Sequence, residues 1–456
     1  MAERVRRIVV TGASGNVGAG VLRTLARLEP DAEVIGVCRR PPPDNSGFYH
    51  GVHWYAVDLS APDAAAQLVP AMRGSDVVIH LALAILPVDD EEYLYRANVL
   101  GTQAVLDAMT EAGVGHLVYA SSLGIYSPGP GRLVSEESPT AGQGASTYSR
   151  HKVLVESLLD DFEARNPGTV VSRFRPTVVV QRDAASEIRS LYLGPFIPRA
   201  ALRLLQRRAL PVLPLPNDLS LQFVHADDVG DAVIRLMQSR ARGSFNIASD
   251  VLDRKQLAAL VGARPIDVDP SLMRRAVVAL HRLGVVAVTP GWYDVATRSP
   301  LMDTAKARQE LGWSPARPST DAARELIDGL ADGAIGGSAA MGLNGQEAAA
   351  PSSVQRLHDA SLLLWCVTAV ARAANPGRPR PLHGAFIATN LVSGTPAALA
   401  RVQQQRRDPV ALAAPVAVAA AVLTSLRGGR PAAVAAIVLG ALGIAERRHI
   451  KREAHG

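Results

Sequence analysis

The sequence predicts an α/β fold: a doubly wound parallel sheet with a smaller substrate-covering region, then a linker and an α-helical C-terminal region. Three observations predict it. From residue 5 to about residue 320, short β-branched runs alternate with longer amphipathic stretches, the signature of βαβ units on a sheet covered on both faces. A glycine-rich turn joins the first such run to the first amphipathic stretch. The composition, 48% apolar and 20% charged over 456 residues, is globular and exceeds what one ordinary domain needs.

In chain order, strands are expected at Arg7–Thr11, Glu33–Cys38, Trp54–Val57, Val77–Leu81, His116–Ala120 and Val170–Arg175. Between them, Val17–Leu28, Ala64–Met72, Val99–Ala112 and Tyr148–Ala164 carry apolar residues at helical spacing. Six parallel strands suffice for a doubly wound sheet. Beyond Thr177 the alternation loosens, and the prolines of Pro195–Pro198 and Pro211–Pro216 predict turns. Residues 178–320 therefore read as the substrate-covering part of a domain spanning 1–330. Ala331–Ser353 is rich in Gly, Ala and Ser without an apolar period and predicts a flexible linker.

The turn after the first strand reads Thr11-Gly12-Ala13-Ser14-Gly15-Asn16-Val17-Gly18. Gly12 lets the chain turn sharply, Gly15 lets backbone N–H groups approach a pyrophosphate, and Gly18 lets the helix sit close to the sheet. The helix start supplies orphan N–H donors and partial positive charge to an anion. A tight βα turn alone could demand glycines. The strand before, the helix after and the place at the head of the sheet favour a dinucleotide.

The Gly-x-x-Gly-x-x-Gly spacing after a threonine resembles the extended short-chain dehydrogenase/reductase family, which is NAD-dependent epimerase/dehydratase-like. The resemblance runs through most of the first 320 residues. Asp58-Leu59 is similar to the adenine contact after the third strand, and Val78-Ile79-His80-Leu81-Ala82 to the strand whose end runs beside the cofactor. Asn98-Val99-Leu100-Gly101-Thr102 resembles a helix motif of the extended branch, and Arg175-Pro176-Thr177-Val178 the segment beside the nicotinamide. Phe223–Asp228 and Glu310–Pro315 resemble its late landmarks. The resemblance implies a Rossmann-type domain and assigns cofactor contacts to Gly12, Ser14, Gly15, Asn16, Val17, Gly18, Asp58, Leu59, Leu81, Ala82, Lys152 and Pro176. The second strand ends Val37-Cys38-Arg39-Arg40 with no acid for a ribose 2′-hydroxyl; a guanidinium there can pair with a 2′-phosphate. Arg39 thus points to NADP, with NAD as the alternative.

Tyr148 and Lys152 stand four apart, on one face of a helix. A phenol titrates near ~10, so proton exchange at neutral pH needs help, and an adjacent ammonium would stabilise the phenolate. By the resemblance, Ser122 holds the substrate oxygen, Tyr148 exchanges its proton, and Lys152 tunes the phenol and reaches the ribose. Ser121 is set aside, because the family's serine stands four before the tyrosine matched by Tyr126. Asn98 reads equally as support for Lys152 or as a helix-positioning residue. His225 reads more readily as a satisfied edge histidine than as a pocket residue. The family's dehydratases carry Asp-Glu where this chain has Leu123-Gly124, and its nucleotide-sugar enzymes usually place an Arg before the Phe-x-x-x-Asp landmark, where this chain has Ser220-Leu221-Gln222. Arg189, Arg199, Arg203, Arg207 and Arg208 could substitute, but scattered surface arginine explains them as well. Hydride transfer at a carbonyl or alcohol carbon of a small molecule leads; epimerisation with a retained cofactor is the alternative, and a non-catalytic dinucleotide-binding regulator stands behind both.

The net charge of +6 is uneven: residues 354–456 hold 13 Lys/Arg against 4 Asp/Glu, and the body is slightly acidic. That balance argues against nucleic acid as a partner. Two cysteines, Cys38 and Cys366, can form neither a disulfide framework nor a cysteine-based metal site. The N-terminus lacks a secretory pattern, so a cytoplasmic body is expected. Within 354–456, Pro409–Leu426 is 18 uncharged residues, about 27 Å as a helix and close to the ~30 Å of a bilayer core. Membrane association of this basic, alanine-rich region is the expectation; a soluble bundle contacting the body or a partner explains the same pattern. A homo-oligomer is implied only by the resemblance. Every cofactor motif precedes residue 339, so the chain from there on is expected to be dispensable for dinucleotide binding.

Overall fold

The computed structural model describes residues 5–43, 47–85, 90–193, 199–282 and 288–342. Pro195–Pro198 and the whole of 354–456 lie outside them, so the expectations for those segments stay as they are. Chain contacts define a compact unit of Met1–Gly194, Leu202–Val278 and Ala287–Gly345, which carries the sheet and everything described below.

Strands β1 (Arg7–Thr11), β2 (Glu33–Cys38), β3 (Val52–Ala56), β4 (Val77–His80), β5 (His116–Ala120), β6 (Val170–Pro176) and β7 (Gly243–Ile247) form one parallel sheet. Their order is β7-β6-β5-β4-β1-β2-β3. The crossover helices are α1 (Asn16–Leu28), α2 (Ala64–Met72), α3 (Gly101–Ala112), α4 (Thr147–Arg165) and α5 (Ala226–Ser239). Val21, Leu22 and Leu25 of α1 join Val229 and Val233 of α5 on one face of the sheet. Leu68, Met72, Leu106, Val155 and Leu159 cover the other. Both faces being buried explains why β4 and β5 read as unbroken apolar runs and not as alternating ones.

The expected strands and helices are found, with ends displaced by a residue or two. The helix expected over Val99–Ala112 begins as a π turn at Arg96–Leu100. The sequence reading lacked β7, Gly-Ser-Phe-Asn-Ile, whose polar residues hide a strand that pairs along β6. Pro211–Pro216 is not simply a turn: Val212–Pro216 pairs in parallel with Arg264–Val268. Proline is tolerated there because each strand of a two-stranded ribbon keeps a free edge for residues without an N–H.

The domain boundary also moves. Ala331 lies in the last turn of the helix Ser319–Asp332, which Gly333 caps, and the chain then folds back over α1. Ser338 and Met341 are fully buried, Met341 against Ala19 and Ala184. Residues 331–342 are therefore part of the body and not the start of a flexible linker; 343–353 lie outside the described residues.

Candidate active site

The switch point of the sheet lies between β1 and β4, where crossovers leave in opposite directions and a crevice opens above the strand ends. Thr11 sits opposite Val37 on β2 and His80 on β4. Gly12 N–H donates to Val37 O at 2.8 Å, and Leu81 N–H to Thr11 O at 3.0 Å. Thr11 Oγ1 lies 2.6 Å from His80 Nδ1, and His80 Nε2 lies 3.0 Å from Thr102 Oγ1. Burial, then the charge of Lys152, pushes the imidazole down to about 3, so His80 is a neutral fastener between strand and helix.

The glycine loop fits a pyrophosphate. Gly12 has φ +70°, and a Cβ there would lie 2.6 Å from Ala82 N. A Cβ on Gly18 would lie 2.4 Å from Ala13 O, so α1 can approach its own loop only as glycine. Gly15 differs: its added Cβ would meet only Gly12 O, at an ordinary 3.4 Å. Nothing in the protein forbids a side chain there. The space that glycine leaves belongs to the cavity in front of the start of α1, where the orphan N–H groups point. Asn16 Nδ2 donates to Val179 O at 2.9 Å and Gln181 Nε2 donates to Asn16 Oδ1 at 2.7 Å, tying the loop to the chain after β6.

The cavity encloses about 370 Å³. The residues that the sequence assigned to cofactor contact or catalysis line it: Gly12, Ser14, Gly15, Asn16, Val17, Gly18, Arg39, Asp58, Leu59, Leu81, Ala82, Ser122, Tyr148, Lys152 and Pro176. At the β2 end, Arg39 Nη1 donates to Tyr93 OH and its guanidinium sits 6.0 Å from that ring. Asp58 Oδ1 accepts from Ser60 N at 2.9 Å, closing the turn after β3.

At the other end, Ser122 caps the turn after β5, its Oγ accepting from Gly124 N at 2.9 Å. Tyr148 projects from the first turn of α4 and stacks on Trp292 at 4.5 Å. Burial pushes its phenol up to about 12, partly offset by a hydrogen bond with Ser122. Lys152, one turn on, donates from Nζ to Ala120 O at 2.5 Å and Tyr119 OH at 3.2 Å. Burial pushes its ammonium down to about 7, against the pull of Glu156. Burial drives both groups toward their neutral forms.

Ser121 points away into an ion cluster. Its Oγ donates to Glu156, whose carboxylate accepts from Arg175 at 3.1 and 2.8 Å and pairs with Arg173 at 3.3 Å. Asn98 exchanges hydrogen bonds with the backbone of Ala84 (2.7 and 3.1 Å), which is a loop-fastening role. His225 caps α5, accepting from Asp227 N at 3.1 Å, and does not line the cavity.

A model described as the NAD dependent epimerase/dehydratase family matches residues 8–248, more than half of the chain. The chain belongs to that family. Protein y4nG of Sinorhizobium fredii is 25% identical over 319 residues, covering 68% of this chain and 75% of its own. An Arabidopsis thaliana 3beta-hydroxysteroid-dehydrogenase/decarboxylase is 22% identical, covering 72% and 62%. The chain spans only 28% of the length of its mycobacterial relatives. Among solved structures, UDP-glucose 4-epimerase of Thermotoga maritima has the same fold, with TM-score 0.54, 19% identity and coverage of 72% and 99%.

This member of the epimerase/dehydratase family carries cavity residues that sequence reasoning missed. Trp292 is set on the helix Pro290–Arg298, and Tyr192 meets its ring edge-on at 5.6 Å. Glu187 lines the cavity near Tyr192, and Ala339 and Ala340 line it beside the glycine loop. Ser338 Oγ donates to Ser14 O at 2.5 Å, so the segment just before residue 339 fastens the glycine loop. Trp292 was the one signal available, a rare aromatic in a chain with 4% aromatic residues.

Proposed function

We propose that the protein transfers hydride between a nicotinamide dinucleotide and a carbonyl or alcohol carbon of a small molecule, with Tyr148 exchanging the proton. The observation that carries this reading is the convergence of Ser122, Tyr148 and Lys152 at one end of a cavity whose other end is the glycine loop. The dinucleotide, when bound, supplies the hydride acceptor or donor. Tyr148, protonated at neutral pH, is ready to donate to the oxygen of a carbonyl undergoing reduction. Ser122 holds that oxygen, and Lys152 is fixed by Ala120 O and Tyr119 OH within a turn of the phenol.

Among the described lining residues, Lys152 is the only cation at the reactive end; Arg39 and Arg40 stand at the β2 end. That supports an uncharged substrate over a nucleotide diphosphate sugar. Epimerisation with a retained dinucleotide uses the same side chains, and the epimerase among the similar structures keeps it as the second reading. The absence of an acid after β2 and the place of Arg39 favour NADP over NAD.

Two measurements test this. Oxidation of the reduced dinucleotide in proportion to carbonyl consumed supports hydride transfer; an oxidised dinucleotide that stays bound through turnover contradicts it in favour of epimerisation. Arg39→Ala should weaken NADP by ~1.5–3 kcal/mol and leave NAD nearly unchanged. Equal losses for both would remove the 2′-phosphate role.

A further inference from the structure

The substrate end of the cavity holds one acidic side chain that the mechanism above does not use. Glu187 lies on the short helix Ala185–Ile188 and shares the cavity with Leu191, Tyr192 and Trp292. Its Oε2 is buried without a hydrogen-bond partner among the described residues. No ion pair to it occurs among them either. A carboxylate oxygen buried with neither cation nor donor is costly, and the group relieves that cost by holding its proton. Burial accordingly pushes the Glu187 carboxyl up to about 7. A protonated carboxyl is a hydrogen-bond donor, and a buried donor calls for an acceptor. Tyr192 lies on the turn that follows this helix and meets Trp292 edge-on, and Trp292 stacks on Tyr148, so the cavity wall that includes Glu187 runs on to the reactive side.

We propose that Glu187 is a specificity residue: its carboxyl donates a hydrogen bond to a second oxygen of an uncharged, largely apolar carbonyl substrate packed against Trp292 and Tyr192. This rests on the hydride-transfer reading, which identifies the first oxygen as the one at Ser122 and Tyr148. Trp292 supplies a flat apolar wall, and its stacking on Tyr148 brings that wall to the reacting carbon. A hydrocarbon ketone would leave the carboxyl proton unpaired, whereas a ketone with a second carbonyl would satisfy it. The pocket therefore discriminates by that unpaired donor, as sites built to hydrogen-bond one substrate group do.

The test compares acetophenone with its three diacetyl analogues (ortho, meta and para diacetylbenzene), which place a second carbonyl at different reaches. Affinity is measured by titration in the presence of dinucleotide, and reduction is followed by oxidation of the reduced dinucleotide. Wild-type protein should bind at least one diketone ~3–10-fold more tightly than acetophenone. Glu187→Leu should abolish that preference while leaving acetophenone unchanged or better bound, and Glu187→Gln, which keeps a donor, should retain most of it. Titration of the dinucleotide alone checks folding and should be equal in all three proteins. No preference in the wild type, an equal loss for all ketones, or a loss of dinucleotide affinity in Glu187→Leu would overturn the proposal. Selective binding that depends on Glu187 without reduction would uphold Glu187 and overturn the hydride-transfer reading instead.

Discussion

Lys152 is buried more deeply than a cation tolerates, and its ammonium falls from the ordinary value of 10.5 to about 7. Between about pH 7 and pH 10 the unfolded chain therefore holds a proton that the folded chain lacks. Stability of the unliganded protein should rise with pH through that window, by up to ~1.4 kcal/mol per unit from this residue. Tyr148 acts oppositely but only above its unfolded value near ~10, since its folded pKa is raised. Denaturant unfolding across the window should show a smaller slope in Lys152→Met than in wild type; an unchanged slope would mean that the lysine stays charged. Glu156 is the counterpart on the same helix. Burial alone would raise its carboxyl, but hydrogen bonds and charge from Arg175, with Ser121 and Arg173, hold it below the usual range. Removing it in Glu156→Ala leaves the buried Arg175 guanidinium without its carboxylate, while Arg173 keeps Asp160 and Glu163, and a loss of ~3–5 kcal/mol in denaturant unfolding is expected. A loss under ~1 kcal/mol would place those arginines in water instead, where an ion pair contributes that little.

At the scale of elements, the segment from Gly333 to Gly342 departs furthest from its sequence reading. Gly, Ala and Ser without a period read as a linker because such residues seldom make a core. Here the same smallness serves close packing. A Cβ on Gly337 would lie 2.9 Å from the Tyr49 ring, and Ala339 and Ala340 reach the cavity with the least possible bulk. Gly336 N–H donates to Met341 O at 2.9 Å, closing a turn that holds Ser338 on the glycine loop. A chain ending after Gly342 should keep the dinucleotide affinity of the full chain. One ending after Gly333, the C-cap of the preceding helix, should lose about tenfold or more while staying folded. Equal affinity in the two would show that the segment packs beside the site without shaping it. Helix α4, by contrast, was legible from its spacing, since Tyr148–Ala164 carries apolar residues at a helical period and Tyr148 and Lys152 stand four apart.

For the molecule as a whole, what could be read beforehand is what the chain encodes locally. The glycine loop, the β-branched runs and the Tyr-x-x-x-Lys pair each declare themselves within a dozen residues, and the parallel sheet carries them to one cavity. The pieces that escaped reading acquire meaning only from distant partners. β7 is a strand because β6 lies beside it, with Asn246 accepting from Tyr126 OH at 2.6 Å. Trp292 and Glu187 enter the site from segments with no motif of their own, through the substrate-covering region. Among the described residues no helix is long and apolar enough to cross a membrane; the stretch Pro409–Leu426 lies outside them. The central claim is that this cavity couples a bound dinucleotide to a tyrosine acid/base. Dinucleotide affinity and carbonyl-dependent oxidation of the reduced dinucleotide, measured side by side for wild type and Tyr148→Phe, test it most directly. The account predicts equal affinity and a ~10²–10⁴-fold fall in turnover for the variant. Undiminished turnover in Tyr148→Phe would contradict it, leaving the cavity a dinucleotide site without this chemistry.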